Sequence, residues 1–175
     1  RDGDRISPAW ASVRVLGVDP GTRATGWAII VSSGNTSRLE AFGIVRPKGS
    51  EHAARLADLD RKFSIIVTDQ APDCAAVESG FTGRNPKSGL VLAESRGVLL
   101  SVLGRAAVPV HPYTPAQVKS AMVGHGTAEK SQVAFMVVRL LGLATPPPSD
   151  AADAAGVALT HINSRVLTSF HNRRL

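Results

Sequence analysis

Val13-Arg14-Val15-Leu16-Gly17-Val18-Asp19-Pro20-Gly21 is the stretch on which the reading of the chain turns. Val13–Val18 is a short β-rich run, and it stops at an acid followed by Pro20-Gly21, a pair that bends the backbone sharply. A carboxylate at the end of an apolar strand has two readings. It is a turn aspartate bonding its own backbone, or it is a functional group set at the edge of a sheet, where open α/β sheets place their active groups.

Working outward, Trp27–Val31 and Leu39–Val45 read as two further strands around the turn-forming Ser32-Ser33-Gly34-Asn35, an antiparallel meander. From His52 to Gln70 the apolar residues Ala54, Leu56, Leu59, Phe63, Ile66 and Val67 recur at helical spacing. Cys74–Val77 is a fourth strand. A polar loop, Thr82–Ser88, leads to a helix over Gly89–Leu103, and Val108–His111 is a fifth strand. Helices follow at Pro115–Val123, Glu129–Leu141 and Asp150–Ile162, the last after Pro146-Pro147-Pro148. Three strands, then helices alternating with strands, describe an α/β three-layer domain with a five-stranded mixed sheet flanked by helices. Its crossovers set the fourth and fifth strands parallel to the first. Residues 1–12 read as a flexible leader, 13–164 as the domain and 165–175 as a basic tail.

Glu78 ends the run Ala75-Ala76-Val77 and so shares the sheet edge with Asp19. An ionised carboxylate at the end of a buried strand needs a partner. Asp150 and Asp153, at i and i+3, share one face at the start of an alanine-rich helix. Favourable contact with the helix dipole explains such acids as well, while Ser149 as N-cap leaves both free for other work. Four such carboxylates gathered together repel one another unless a cation joins them. Oxygen-only ligands select hard ions, Mg2+ or Mn2+, and a pair of these about 3.5–4 Å apart suits phosphodiester hydrolysis.

Charge supports an anionic partner. The 175 residues carry twenty Lys and Arg against fourteen acids, a net +6; with four acids drawn into one site, the remaining ten leave +10 elsewhere. A basic surface attracts nucleic acid, although solvating charge alone gives the same count. One cysteine, Cys74, excludes an intramolecular disulfide framework and a Cys-rich zinc site. It reads as a small buried hydrophobe and fits a reducing, cytoplasmic setting. No apolar run approaches the roughly 20 residues that span a bilayer.

Four segments now read together: Leu16–Gly26 (LGVDPGTRATG), Val77–Phe81 (VESGF), Ala128–Val133 (AEKSQV) and Asp150–Ala154 (DAADA). In order and spacing, over about Val13 to His161, they resemble the RuvC family of bacterial Holliday-junction resolvases. The resemblance implies a ribonuclease-H-like fold and a homodimer that resolves four-way DNA junctions in recombination and repair. It implies paired nicks with 5′-phosphate and 3′-hydroxyl ends, and RuvA and RuvB, the branch-migration proteins, as partners. The family's metal-binding catalytic carboxylates fall on Asp19, Glu78, Asp150 and Asp153, its stacking aromatic on Phe81 and its lysines on Lys119 and Lys130.

Phe81 itself reads either as a lid on the core or, with Arg84 and Lys87 close behind, as a stacking platform for an unpaired base. Lys119 and Lys130 read as solvated lysines or as phosphate contacts near helix starts. The Gly89–Leu103 helix is apolar around most of its circumference, which suggests a second face meeting another chain or a deeply buried helix. Asp19-Pro20-Gly21-Thr22 followed by Gly26 also resembles the phosphate loop of actin-like sugar kinases, but those need two such subdomains and the chain has room for one. A non-catalytic DNA-binding module gives no reason for four acids, and a nuclease of this fold acting on RNA is the remaining rival.

Overall fold

The computed structural model describes residues 12–80 and 86–171, with side chains through Arg165. The element order is β1 (Val13–Asp19), β2 (Thr25–Ser33), β3 (Thr36–Val45), α1 (His52–Gln70), β4 (Cys74–Glu78), α2 (Pro86–Arg105), β5 (Val110–Tyr113), α3 (Pro115–Val123), α4 (Lys130–Leu140) and α5 (Ser149–His171). The sheet has five strands in the order β3-β2-β1-β4-β5. β1–β2 and β2–β3 are antiparallel, while β1–β4 and β4–β5 are parallel. The expected mixed three-layer architecture is therefore present.

Strand alternation divides the core in two. Leu16 and Val18 of β1, with Ala75 and Val77 of β4, pack under Leu59, Phe63 and Val67 of α1 and Leu99, Val102 and Leu103 of α2. On the other face, Val15 of β1 and Cys74 and Ala76 of β4 meet α5, with Val118 and Met122 of α3 and Val133 and Val137 of α4 behind it. By the same alternation Asp19 and Glu78 belong to the α5 face. The parallel pair Val18↔Val77 sets these two acids side by side.

The α5 helix lies against the sheet at close range. A Cβ at Gly17 would stand 1.9 Å from the Ala154 carbonyl oxygen, and one at Gly26 1.9 Å from that of Asp150. Every residue from Ala154 to Ile162 is buried, so this is a central helix. By contrast, α2 is covered on one side only: Leu99, Val102 and Leu103 are buried, whereas Leu90 is 63% exposed.

Several boundaries differ from the sequence reading, each for a local reason. The last strand is Val110–Tyr113 rather than Val108–His111. The Val108 N–H is taken by the Leu103 carbonyl at 3.0 Å, closing α2 through Ala107 at φ 53°. Pro109 has no N–H, so the ladder begins one residue later. The α2 helix starts at Pro86 rather than Gly89, since proline suits a first helical turn whose N–H groups lack partners anyway; Lys87 and Ser88 are therefore helical. Ser149 is the first residue of α5 and not its N-cap, and the Ala152 N–H donates to the Pro148 carbonyl at 2.9 Å. At its other end α5 continues past Ile162 to His171. The Ser164 hydroxyl donates to the His161 carbonyl at 2.7 Å, which satisfies it without breaking the helix. Among the described residues no helix is long and apolar enough to cross a membrane.

Gly17→Ala should lower stability by about 1–3 kcal/mol, the usual range for overpacking, because the new methyl meets helix backbone. Gly97→Ala, with nothing within 4 Å of the added carbon, should not. Urea midpoints of the two variants measure the difference, and equal midpoints would contradict the close helix–sheet contact.

Candidate active site

Asp19 and Glu78 end adjacent parallel strands, and the first turns of α5 lie over them. One cavity is lined by Asp19, Glu78 and Asp153 together with Pro115, Val118, Lys119, Lys130 and Val133. Three of the four expected carboxylates thus share a wall. Asp150 stands one turn earlier on α5, its backbone over Gly26, the β2 partner of Asp19. It is near enough to act on Asp19 electrostatically without lining the cavity.

The surrounding elements are fixed by ordinary local chemistry. The α3 helix begins with a capping box: Thr114 Oγ1 accepts from the Gln117 N–H at 3.2 Å, and the Thr114 N–H donates to Gln117 Oε1 at 2.8 Å. Glu129 precedes α4, its N–H donating to Gln132 Oε1 at 2.8 Å. That start sets Lys130 at the first position of α4, where it pairs with Asp153. Lys119, expected near a helix start, lies instead in the middle of α3, on the cavity side. On the far side of the sheet edge, Arg96 of α2 reaches the Glu78 carbonyl at 3.4 Å.

Electrostatics mark the cluster as over-charged. Burial pushes the Asp19 carboxyl up to about 7, helped by the negative charges of Glu78 and Asp153, opposed by Lys130, and raised further by Asp150. Glu78 is also held above its ordinary range, by burial first and then by Asp153, with Lys130 and Lys119 pulling it down. Lys130 is pushed up, chiefly by its hydrogen bond to Asp153. The two lysines therefore offset only part of the charge. An all-oxygen donor set with unrelieved repulsion fits a hard divalent cation. The carboxylates stand wider apart than a closed ligand set: among the described residues, Cys74, His111 and His161 form the one three-residue group whose ligand atoms all lie within 4.8 Å.

A second cavity adjoins the Asp19 turn. Thr22, Arg23, His52, Arg55 and Lys87 are among its lining residues, and His52 Nε2 meets Glu94 Oε2 at 2.6 Å across α1 and α2. Lys87 was among the expected DNA contacts; Arg23 and Arg55 were not, because each is an isolated basic residue in sequence and only the packing of α1 beside the β1–β2 turn brings them together. Phe81 and Arg84 lie outside the described residues.

The family model for "Crossover junction endodeoxyribonuclease RuvC" matches residues 15–161. The chain belongs to the RuvC family. The RuvC protein of Syntrophomonas wolfei is 44% identical over 160 residues, covering 90% of this chain and 93% of its own. The Thermus thermophilus RuvC structure superposes with a TM-score of 0.81 at 32% identity, over 89% of this chain and 96% of that one. A second structure, of T. thermophilus RuvC in complex with a Holliday junction substrate, gives 0.82 at 33% identity with the same coverage. The three-layer fold is thus the ribonuclease-H-like fold of RuvC. The activity that accompanies membership is that of a crossover junction endodeoxyribonuclease, and the RuvC family implies use of a divalent metal.

The raised Asp19 carboxyl makes a stability prediction. Its proton is lost near 3.8 in the unfolded chain and near 7 in the folded one. Between those values the folded state holds the extra proton, so stability falls as pH rises from about 4 to about 7 and stays reduced above. In metal-free buffer at pH 8, Asp19→Asn should therefore be more stable than the parent by about 2–4 kcal/mol, and Mg2+ should stabilise the parent more than the variant. Chemical denaturation across pH checks this. A variant no more stable than the parent at pH 8 would show that the site is not over-charged.

Proposed function

We propose that the chain resolves four-way DNA junctions by paired, symmetrical phosphodiester hydrolysis, with Asp19, Glu78, Asp150 and Asp153 as the catalytic, metal-holding carboxylates. The observation that carries this assignment is the meeting of Asp19, Glu78 and Asp153 around one over-charged cavity in a chain of the RuvC family. Two ions, Mg2+ or Mn2+, held by this set would supply activation of the attacking water and neutralisation of the departing 3′ oxygen.

The protein's own groups have distinct parts. Asp19, on the central strand between β2 and β4, would help to hold the ions. Glu78 and Asp153 flank it from the neighbouring strand and from α5, and Asp150 adds charge from the turn above. Lys130, paired with Asp153, and Lys119 offer positive charge to the scissile phosphate at the cavity rim. Arg23, Arg55 and Lys87 line the adjoining cavity and would follow the DNA backbone away from the cut. Phe81 and Arg84 complete the proposal, the ring stacking on an unpaired base near the junction centre and the guanidinium meeting phosphate.

A twofold dimer presents two equivalent sites to a junction of approximate twofold symmetry. Its interface is assigned to the outward side of α2, where Leu90 is exposed and Gly97 has open space beside it. RuvA and RuvB are the proposed branch-migration partners, and the cytoplasm the proposed compartment.

Asp19→Asn should abolish cleavage of a synthetic four-way junction while leaving junction binding intact, read by nicking and gel-shift assays on the same folded protein. Loss of binding together with cleavage would remove the purely catalytic role. Arg23→Ala should flatten the dependence of log affinity on log salt by about 0.9, the loss of one phosphate contact. An unchanged slope would place that residue off the DNA path.

A further inference from the structure

At the ends of β4 and α5 remote from the carboxylates, the same two elements carry a second cluster. Cys74 opens β4 four residues before Glu78, a separation of roughly 13 Å along a strand. His161 follows Asp153 by eight residues, roughly 12 Å along a helix. His111 joins them from β5, where it pairs with Ala76. Alternation puts Cys74 and His111 on the face that α5 covers. The Cys74 thiol and the two imidazoles bring their ligand atoms within 4.8 Å of one another, and the rings of His111 and His161 stack with centroids 4.2 Å apart.

We propose that Cys74, His111 and His161 form a second metal site, for a thiophilic ion of zinc's class, chemically separate from the carboxylate centre. Thiolate and neutral imidazole are the ligands such ions prefer, whereas hard ions prefer the oxygens at the other end of the sheet.

The hydrogen bonds around His161 prepare it for this role. Ser164 has one hydroxyl proton, and it goes to the His161 carbonyl at 2.7 Å. The Tyr113 hydroxyl, 3.1 Å from Ser164 Oγ, therefore donates to that oxygen. Its own oxygen is left to accept from His161 Nδ1–H at 2.8 Å. Burial, with His111 and Arg165 nearby, keeps the ring neutral, so the lone pair sits on Nε2. That atom is buried, in a residue only 4% exposed, and has no hydrogen-bond partner. A ring nitrogen fixed through its other nitrogen, with its lone pair unpartnered, is how metal-binding histidines are oriented.

Tetrahedral coordination by one sulfur and two nitrogens sets ligand atoms about 3.3–3.6 Å apart. The ligand atoms, all within 4.8 Å of one another, have at most about 1–1.5 Å to close to reach that spacing. Binding displaces the thiol proton of Cys74, because the thiolate is the ligand. His111 is half-buried at the rim of a cavity that also includes Asp73 and Arg165, so an ion enters from solvent and keeps its fourth position for water. Bound there, it ties β4, β5 and α5 together behind Glu78 and Asp153.

Cobalt(II) is the direct probe, because thiolate coordination gives it a near-ultraviolet charge-transfer band that oxygen ligands do not. Cys74 is the only thiol in the chain, so the band has one source. Titrated into wild-type protein in excess Mg2+, Co2+ should give this band, saturating at one ion per chain, and Zn2+ should bleach it. Cys74→Ala should abolish the band and His111→Ala should weaken binding at least tenfold, with folding checked by circular dichroism. No band in the folded wild type overturns the proposal. So does a band of undiminished affinity in folded His111→Ala, which would mark a thiol binding metal unaided.

Discussion

The fit of α5 against β1 and β2 through Gly17 and Gly26 is the constraint on which the rest of the molecule depends. At both positions any side chain would overlap helix backbone, so the sheet accepts the helix only where it has no Cβ. The alanines of α5 complete the match from the other side, with Ala151, Ala154, Ala155 and Ala158 all fully buried. Small residues on both surfaces exchange side-chain bulk for proximity. That proximity brings Asp153 to the strand ends and sets the Asp150 backbone above the β2 partner of Asp19.

Closeness has an electrostatic consequence. Water is pushed away from Asp19 and Glu78 just where other acids approach, and desolvation becomes the largest cause of both raised carboxyls. A site of this kind is unstable to its own charge until a cation enters. Lys130 offsets part of the excess from α4 through its pairing with Asp153. The fold thus supplies binding energy for a divalent ion by keeping the apo site under strain of charge rather than of geometry.

Much of this was legible in the chain. Val15–Val18 is a continuous apolar run, as a strand covered on both faces requires, and the acid at its end, matched by Glu78 at the end of the fourth strand, marks the site in the sequence. What the sequence concealed was tertiary. The start of β5 is moved by the Val108 N–H bonding back into α2, which depends on how that helix ends. Ser149 looks like an N-cap, yet the Pro148 carbonyl takes the helix's first bond. Arg23 and Arg55 form no motif and meet only because α1 passes the β1–β2 turn. Cys74 looked like a small hydrophobe, and it is buried as one. Its two histidine neighbours come from distant elements at no recognisable ligand spacing.

The central claim is that the carboxylate cluster, with its cation, cuts DNA at a crossover and nowhere else. Mapping nicks at nucleotide resolution on a synthetic four-way junction, beside linear duplexes of the same arm sequences, with Mg2+ or with EDTA, tests it most directly. The account predicts paired nicks at symmetry-related positions on strands of like polarity, with ends that a ligase reseals, only on the junction and only with the metal. Cutting that persists in EDTA, or that proceeds as readily on the linear duplexes, would contradict it.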